Sequence, residues 1–376
     1  MNRRIAALAV AVILLSVGSM SAPSVATAGG FQLESTVAFT STRDNLALNP
    51  IFGAEIYLVK PVKDGTWALT NPRRLTNDAF GDAFATLSPD GKKVVFDSNR
   101  LTAGTVCDGL IYNNISDLFL MNTDGTEQTL LTRGSSVTWS PDSKDIAFHA
   151  SASYYASGGV VSGCPIRRGP GAPGSATSDS DIFVVNVDDL LAGAEHPTNI
   201  TNSPAMIDDD PDWSPDGQRI VFTSHPVTDN PDPSDQAEIF VMNPDDTGLQ
   251  QLTSNAEEER GPAWSPDGTQ IVFICRIGAE TNPAADFEIC VMNADGSGLV
   301  QLTDNSTFDG TPTFSPDGQQ IVFIRTVGAL GGGNQQLFIM NADGTQQTQV
   351  TFGTRTTPDG LNTLPQWGEV SVRLHA

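Results

Sequence analysis

Short apolar runs, β-branched and closed by an aromatic ring, recur along the chain at near-equal intervals. Val94-Val95-Phe96, Ile146-Ala147-Phe148, Ile220-Val221-Phe222, Ile271-Val272-Phe273 and Ile321-Val322-Phe323 are five copies, and Val37-Ala38-Phe39 is a sixth. Runs this short, bounded by turn residues, read as strands rather than helices. Three further elements keep phase with them. Ahead of five runs stands a turn tetrapeptide, Ser88-Pro89-Asp90-Gly91, Ser140-Pro141-Asp142-Ser143, Ser214-Pro215-Asp216-Gly217, Ser265-Pro266-Asp267-Gly268 and Ser315-Pro316-Asp317-Gly318, each preceded by a large apolar residue (Leu87, Trp139, Trp213, Trp264, Phe314). Trp367 marks a degenerate sixth copy. Behind each run follows a strand opening on an acid or amide (Glu55, Asp117, Asp181, Glu238, Glu288, Gln336) and then a short strand ending in Leu-Thr, Ile-Thr or Val-Thr.

The turns carry their own mechanism. Proline presets φ at the second turn position, aspartate tolerates the next, and glycine takes the left-handed position that completes a hairpin. Ser143 stands where glycine is wanted, at an expected cost of roughly 1–2 kcal/mol, so its hairpin should be the weakest or use another turn. The Asn-x-Asp-Gly segments beginning at Asn122, Asn293 and Asn341 read as a second hairpin, since they lack the downstream ligands of a calcium loop. Four strands repeated six times at about 50 residues predict an all-β chain, a six-bladed β-propeller with four-stranded blades. The chain opens with a second-type strand and ends with a first-type strand, so closure by pairing of N-terminal and C-terminal strands is expected.

These repeats resemble those of the TolB-like propeller family: an aromatic before Ser-Pro-Asp-Gly, an Ile-x-Phe strand, a strand ending Val-Met-Asn before Asp-Gly, and a Leu-Thr strand. The resemblance spans nearly all of residues 29–376 and implies an envelope or extracellular propeller that binds protein or peptide. The separate N-terminal α/β domain of TolB has no counterpart in residues 29–35, so the propeller module alone is expected.

Composition narrows the partners. Lys and Arg number 20 against 44 Asp and Glu, a formal charge of −24. That field opposes phosphate backbones and anionic membranes, so a nucleic-acid partner is excluded and a cationic segment is favoured. Residues 1–28 have the form of a signal peptide, with Arg3 and Arg4, an apolar run over 5–15, and Ala26-Thr27-Ala28 before the cleavage point. Export to the periplasm or the medium follows, with no membrane insertion, and residues 29–376 are expected to form a single, monomeric domain. An oxidising compartment permits disulfides, and the strand positions favour Cys107 with Cys164 and Cys275 with Cys290.

Loops on one face are long (99–116, 150–180, 225–237, 276–287) and the turns opposite are tight. Binding residues concentrate on loops held by a rigid scaffold, so Tyr112, Tyr154 and Tyr155 are candidate contacts, with burial in small loop cores as their alternative. Five residues ahead of each aromatic stand Asp82, Gly134, Asp208, Glu259, Asp309 and Asn362. If the innermost strands begin there, the carboxylates and Asn362 form a ring at the channel mouth able to meet a cationic peptide or a Ca²⁺ ion, and otherwise they cap turns. No cofactor is otherwise indicated. His149, His196, His225 and His375 lack metal-ligand spacing and are expected in loops or on the surface. No nucleophile elbow occurs, so the expected role is a non-catalytic scaffold, and the alternative is a secreted carbohydrate-active or carbohydrate-binding propeller.

Overall fold

The computed structural model describes residues 31–41, 54–59, 72–78, 80–101, 105–107, 110–112, 117–152, 155, 180–227, 237–255, 257–276, 287–327, 334–350 and 362–373. It is an all-β, six-bladed propeller. Blade 1 holds β1 (Phe31–Ser41), β2 (Glu55–Val59) and β3 (Arg73–Arg74). Blade 2 holds β4 (Asp82–Leu87), β5 (Lys93–Ser98), β8 (Asp117–Asn122) and β9 (Thr129–Arg133), and the pair β6 (Thr105–Cys107) and β7 (Leu110–Tyr112) forms a small hairpin within its long loop. Blade 3 holds β10 (Ser135–Trp139), β11 (Asp145–Ser151), β12 (Ser180–Asn186) and β13 (Thr198–Asn199); blade 4, β14 (Met206–Trp213), β15 (Ile220–Pro226), β16 (Glu238–Met242) and β17 (Gln250–Gln251). Blade 5 holds β18 (Glu259–Trp264), β19 (Gln270–Cys275), β20 (Glu288–Asn293) and β21 (Val300–Gln301); blade 6, β22 (Asp309–Phe314), β23 (Gln320–Val327), β24 (Asn334–Asn341) and β25 (Thr348–Gln349). The first strands β4, β10, β14, β18 and β22 touch in succession around the axis.

The core lies between blades rather than within them. In each second strand the middle residue and its two neighbours face opposite sides of the sheet, as the period of two requires. Val94 and Phe96 thus join Ala38, Ile56 and Leu58 of blade 1, while Val95 joins Trp139, Ile146 and Phe148 of blade 3. The pattern repeats at blades 3 and 4, 4 and 5, 5 and 6, and 6 and 1, so six apolar clusters of the described residues each occupy one joint.

The hairpin tetrapeptide folds as its composition demands, and serine has a role that turn preferences alone do not reveal. Ser88 Oγ donates to Asp90 Oδ1 at 2.7 Å and accepts from Lys93 N at 2.9 Å, and Gly91 at φ 68° returns its N–H to Ser88 O. Ser214, Ser265 and Ser315 repeat the lock. Ser143 makes the same turn at φ 63°, and its hydroxyl accepts from Asp90 N of blade 2 at 3.0 Å. The joint therefore offsets part of the strain.

Two expectations need correction. The fourth strands of blades 1, 4 and 5 end just before the Leu-Thr pair: the leucine N–H still bonds the third strand while its side chain turns toward the joint, and the threonine hydroxyl accepts from Ile56 N, Ile239 N and Ile289 N. In blade 3 a short helix, α1 (Val187–Leu191), replaces the tight hairpin, because Asn186 accepts from Asp189 N and caps it, with Asp188 and Asp189 in its first turn.

Candidate functional site

At the long-loop end of the blades, the carboxylate that opens one third strand lies near the first-strand acid of the next blade at the joints into blades 4, 5 and 6. Asp82, Glu259 and Asp309 open their innermost strands, and Asp208 lies near the start of β14, all four buried. Asn362 begins β26 (Asn362–Arg373), and its side chain lies outside the described residues. At these three joints one crossing residue ties the pair. Asn255 gives its N–H to Glu238 Oε1 at 3.1 Å and its amide to Glu259 Oε1 at 2.8 Å. Asn305 joins Glu288 (2.7 Å) to Asp309 (2.9 Å) in the same way, and Ser203 joins Asp181 to Asp208. The carboxylates therefore tie blade to blade, which a buried acid requires.

They differ in what neutralises them. Arg100 Nη2 meets both oxygens of Asp82 at 3.0 Å, and Arg325 meets those of Asp309 at 2.7 and 2.5 Å. Each guanidinium also lies over two rings of its own blade: Arg100 is 5.3 and 4.5 Å from Phe96 and Phe119, and Arg325 is 5.3 and 4.9 Å from Phe323 and Phe338. A glutamine completes each slot, Gln128 at 2.6 Å and Gln347 at 3.0 Å. In blade 5 the cross-strand partner of Glu259 is Cys275, whose disulfide to Cys290 (Cα–Cα 5.9 Å) occupies this level, confirming one expected pairing. In blade 3, Tyr155 packs on Phe148 and Phe183 and hydrogen-bonds Thr132 and the Arg133 carbonyl. In blade 4, Asp208 accepts from the hydroxyls of Ser203 and Ser224, and Phe222 stacks on Phe240 at 5.9 Å.

Burial dominates the acid equilibria. It pushes Asp82 up to about 6 although Arg100 opposes it, and it raises Asp208 against two serine hydroxyls. Burial raises Glu259 to about 8, and the Glu238 carboxyl adds to the rise. Glu288 goes to about 7 for the same first cause.

A second polar cluster gathers at the bulges of the first strands. Every first strand from β4 to β22 bulges at the position three before its aromatic, and the bulge residue is left-handed: Phe84, Ser136, Asp210, Gly261 and Thr311, with φ from 46° to 58°. Beside the blade 4 bulge, Asp209 lies 3.2 Å from His149 Nδ1 and 3.8 Å from His225 Nε2. These histidines lie on β11 and β15 rather than in loops or on the surface, because both strands run past their aromatic residue. A polar residue directly after the second-strand aromatic, as in Phe96-Asp97 and Phe148-His149, was the available signal. Asp212 links three blades, accepting from Thr138 Oγ1 at 3.0 Å and Trp264 N at 2.7 Å.

Tyr112 ends β7, while Tyr154 and the pairing of Cys107 with Cys164 fall outside the described residues. Among the described residues no group of three His, Cys, Asp or Glu is arranged to hold a metal ion, and no helix is long and apolar enough to cross a membrane.

No protein-family model matches the chain, and no curated protein matches it by sequence. Solved structures do match in fold. TolB from Acinetobacter baumannii aligns with a TM-score of 0.60 at 16% identity, over 90% of this chain and 68% of that one. A putative TolB from Agrobacterium tumefaciens aligns at 0.54 and 18% identity, over 91% of this chain and 100% of the other. An oligogalacturonate lyase from Vibrio parahaemolyticus reaches 0.46 at 13% identity, over 79% and 70%. The resemblance read from the repeats is thus present as a likeness of fold.

Proposed function

We propose that the chain is an exported, non-catalytic propeller that binds a protein or peptide on its long-loop face, in the periplasm or outside the cell. The carrying observation is the uneven neutralisation of the loop-side ring. Arginines occupy Asp82 and Asp309, whereas Asp208 accepts from hydroxyls, in the sector that also carries Asp209, Asp210 and Glu257; Glu259 there, pushed up to about 8, keeps its proton at neutral pH. A cationic segment would be steered to that sector. The fold likeness to TolB structures and the Cys275–Cys290 disulfide support an envelope setting. The register of β1 against β26, with Val37 opposite Trp367, supports closure of the ring through its two ends.

Affinity capture from envelope and medium tests this, using the exported chain beside an Asp208→Asn, Glu259→Gln variant. Asp82 and Asp309 stay intact so that no buried arginine is stranded. A salt-sensitive partner held by the parent and lost by the variant is expected; capture of the same proteins by both, or of none, overturns the reading.

A further inference from the structure

The joints into blades 4, 5 and 6 each bury two neighbouring acids, and they differ in how the carboxyl oxygens find donors. At the joint into blade 6, Glu288 Oε2 accepts from Thr303 Oγ1 at 2.6 Å and Asn305 Nδ2 at 3.0 Å, Glu288 Oε1 accepts from Asn305 N, and both Asp309 oxygens accept from Arg325. At the joint into blade 4, the hydroxyls of Thr201, Ser203 and Ser224 and the Asn199 amide reach every oxygen of Asp181 and Asp208. The joint into blade 5 stops short. Asn255 serves Oε1 of Glu238 and Oε1 of Glu259, while the two Oε2 atoms are buried without a donor.

The surroundings do not supply the missing charge. Of the elements packed against β16 and β18, β14 carries Asp208, Asp209, Asp210 and Asp212, β22 carries Asp309, and β15 carries His225. The crossing adds Glu257 and Glu258. The cations nearby are engaged elsewhere: Arg260 with Glu258, His225 with Asp209, Arg325 with Asp309, and Arg276 over the Phe287 ring. On β19 the residue opposite Glu259 is Cys275, held in its disulfide. Two ionised carboxyls side by side, buried and without a cation, repel each other and lack solvation. A single proton cures both faults, because a protonated carboxyl donates where an ionised one can only accept.

We infer that Glu238 and Glu259 share one proton that latches blade 4 to blade 5 at the loop-side end, and that losing it opens this joint while the other joints stay shut. The carboxyls lie within hydrogen-bond reach of each other, and burial with the Glu238 carboxyl beside it pushes Glu259 up to about 8. The latch is therefore closed at neutral pH and yields as pH rises through about 8. The yielding part is the crossing at Asn255, since the Cys275–Cys290 disulfide fixes β19 to β20 behind Glu259. Blade 6 has the same crossing geometry but carries Arg325, so its joint needs no such proton.

Amide hydrogen exchange of the exported chain, followed residue by residue between about pH 6.5 and 9 and corrected for intrinsic base catalysis, tests the latch. The N–H groups of Asn255 and Glu259, bonded to Glu238 Oε1 and the Ala237 carbonyl, should lose about tenfold in protection by pH 9, as release of one proton near pH 8 requires. Those of Asn305 and Asp309 at the next joint should keep theirs. Carboxyl-carbon signals of Glu238 and Glu259 should move in the same alkaline step. Glu259→Gln supplies a permanent amide donor in place of the proton and should flatten the exchange profile. Glu238→Gln should do the same from the opposite side, and either variant serves if the other fails to fold. Protection at Asn255 and Glu259 that does not change with pH, an equal loss at Asn305 and Asp309, or separate titration of the two carboxyls overturns the inference.

Discussion

Blade 6 and blade 4 are two answers to the same local problem. Both bury an aspartate beside a stacked or tilted aromatic pair at the loop-side end of the ring, and both must find donors for it. Blade 6 uses a guanidinium from its own second strand, whereas blade 4 uses two serine hydroxyls and leaves the charge uncompensated. A repeat can thus keep its backbone and exchange an internal ion pair for hydroxyl donors by a single residue, Arg325 against Ser224. Both solutions leave the acid buried.

The comparison breaks most severely at Arg325. Replacing it by Met strands Asp309 in a buried slot and should destabilise the protein by about 3–5 kcal/mol in chemical denaturation, most of it recovered by adding Asp309→Asn. A full loss in the double variant would mean that the rings, not the charge, hold the slot. Blade 5 gives a second filler to remove. Cys275→Ala with Cys290→Ala should lower stability by roughly 3 kcal/mol, measured as the shift in denaturant midpoint against the oxidised parent, with no change on adding reductant to the variant.

A gentler effect sharpens the contrast by pH. Glu259 rises from 4.5 to about 8, so the folded chain keeps a proton that the unfolded chain has lost across that interval. Stability from this group therefore falls as pH rises between those values. Glu259→Gln should melt above the parent at pH 8.5 and approach it below pH 4.5; parallel pH curves would show that Glu259 ionises freely. The smallest effect belongs to the hairpin of blade 3. Ser143→Gly relieves a left-handed serine but removes the acceptor of Asp90 N, so the net change should stay within about 0.5 kcal/mol by thermal melting.

What the sequence made legible was local. Ser-Pro-Asp-Gly carries its turn in four adjacent residues, and the period of two in Val94-Val95-Phe96 assigns each side chain to a joint before any joint is seen. The acid positions Asp82, Asp208, Glu259 and Asp309 were legible as a set for the same reason, since they keep phase with the aromatics. Their partners were not. Arg100 and Arg325 reach the acid from different strand positions, Tyr155 caps a ring pair from outside the regular repeat, and Asn255 and Asn305 span two blades. Such contacts depend on how neighbouring sheets stack. The contact of His149 is hidden on the same ground, because nothing beside it in sequence shows that Asp209, sixty residues later, lies against it.

Because each apolar cluster straddles two blades, no blade owns a core. Linear repeat arrays unfold piecemeal from their capped ends, since every unit there can lose one neighbour at a time. Here excising any one blade would strip two joints and leave two facing wounds, so deletion of a single repeat should abolish folding outright. Moving the chain ends to a different hairpin leaves every joint intact, and circular permutants opened within the exposed Asp-Gly turns should fold.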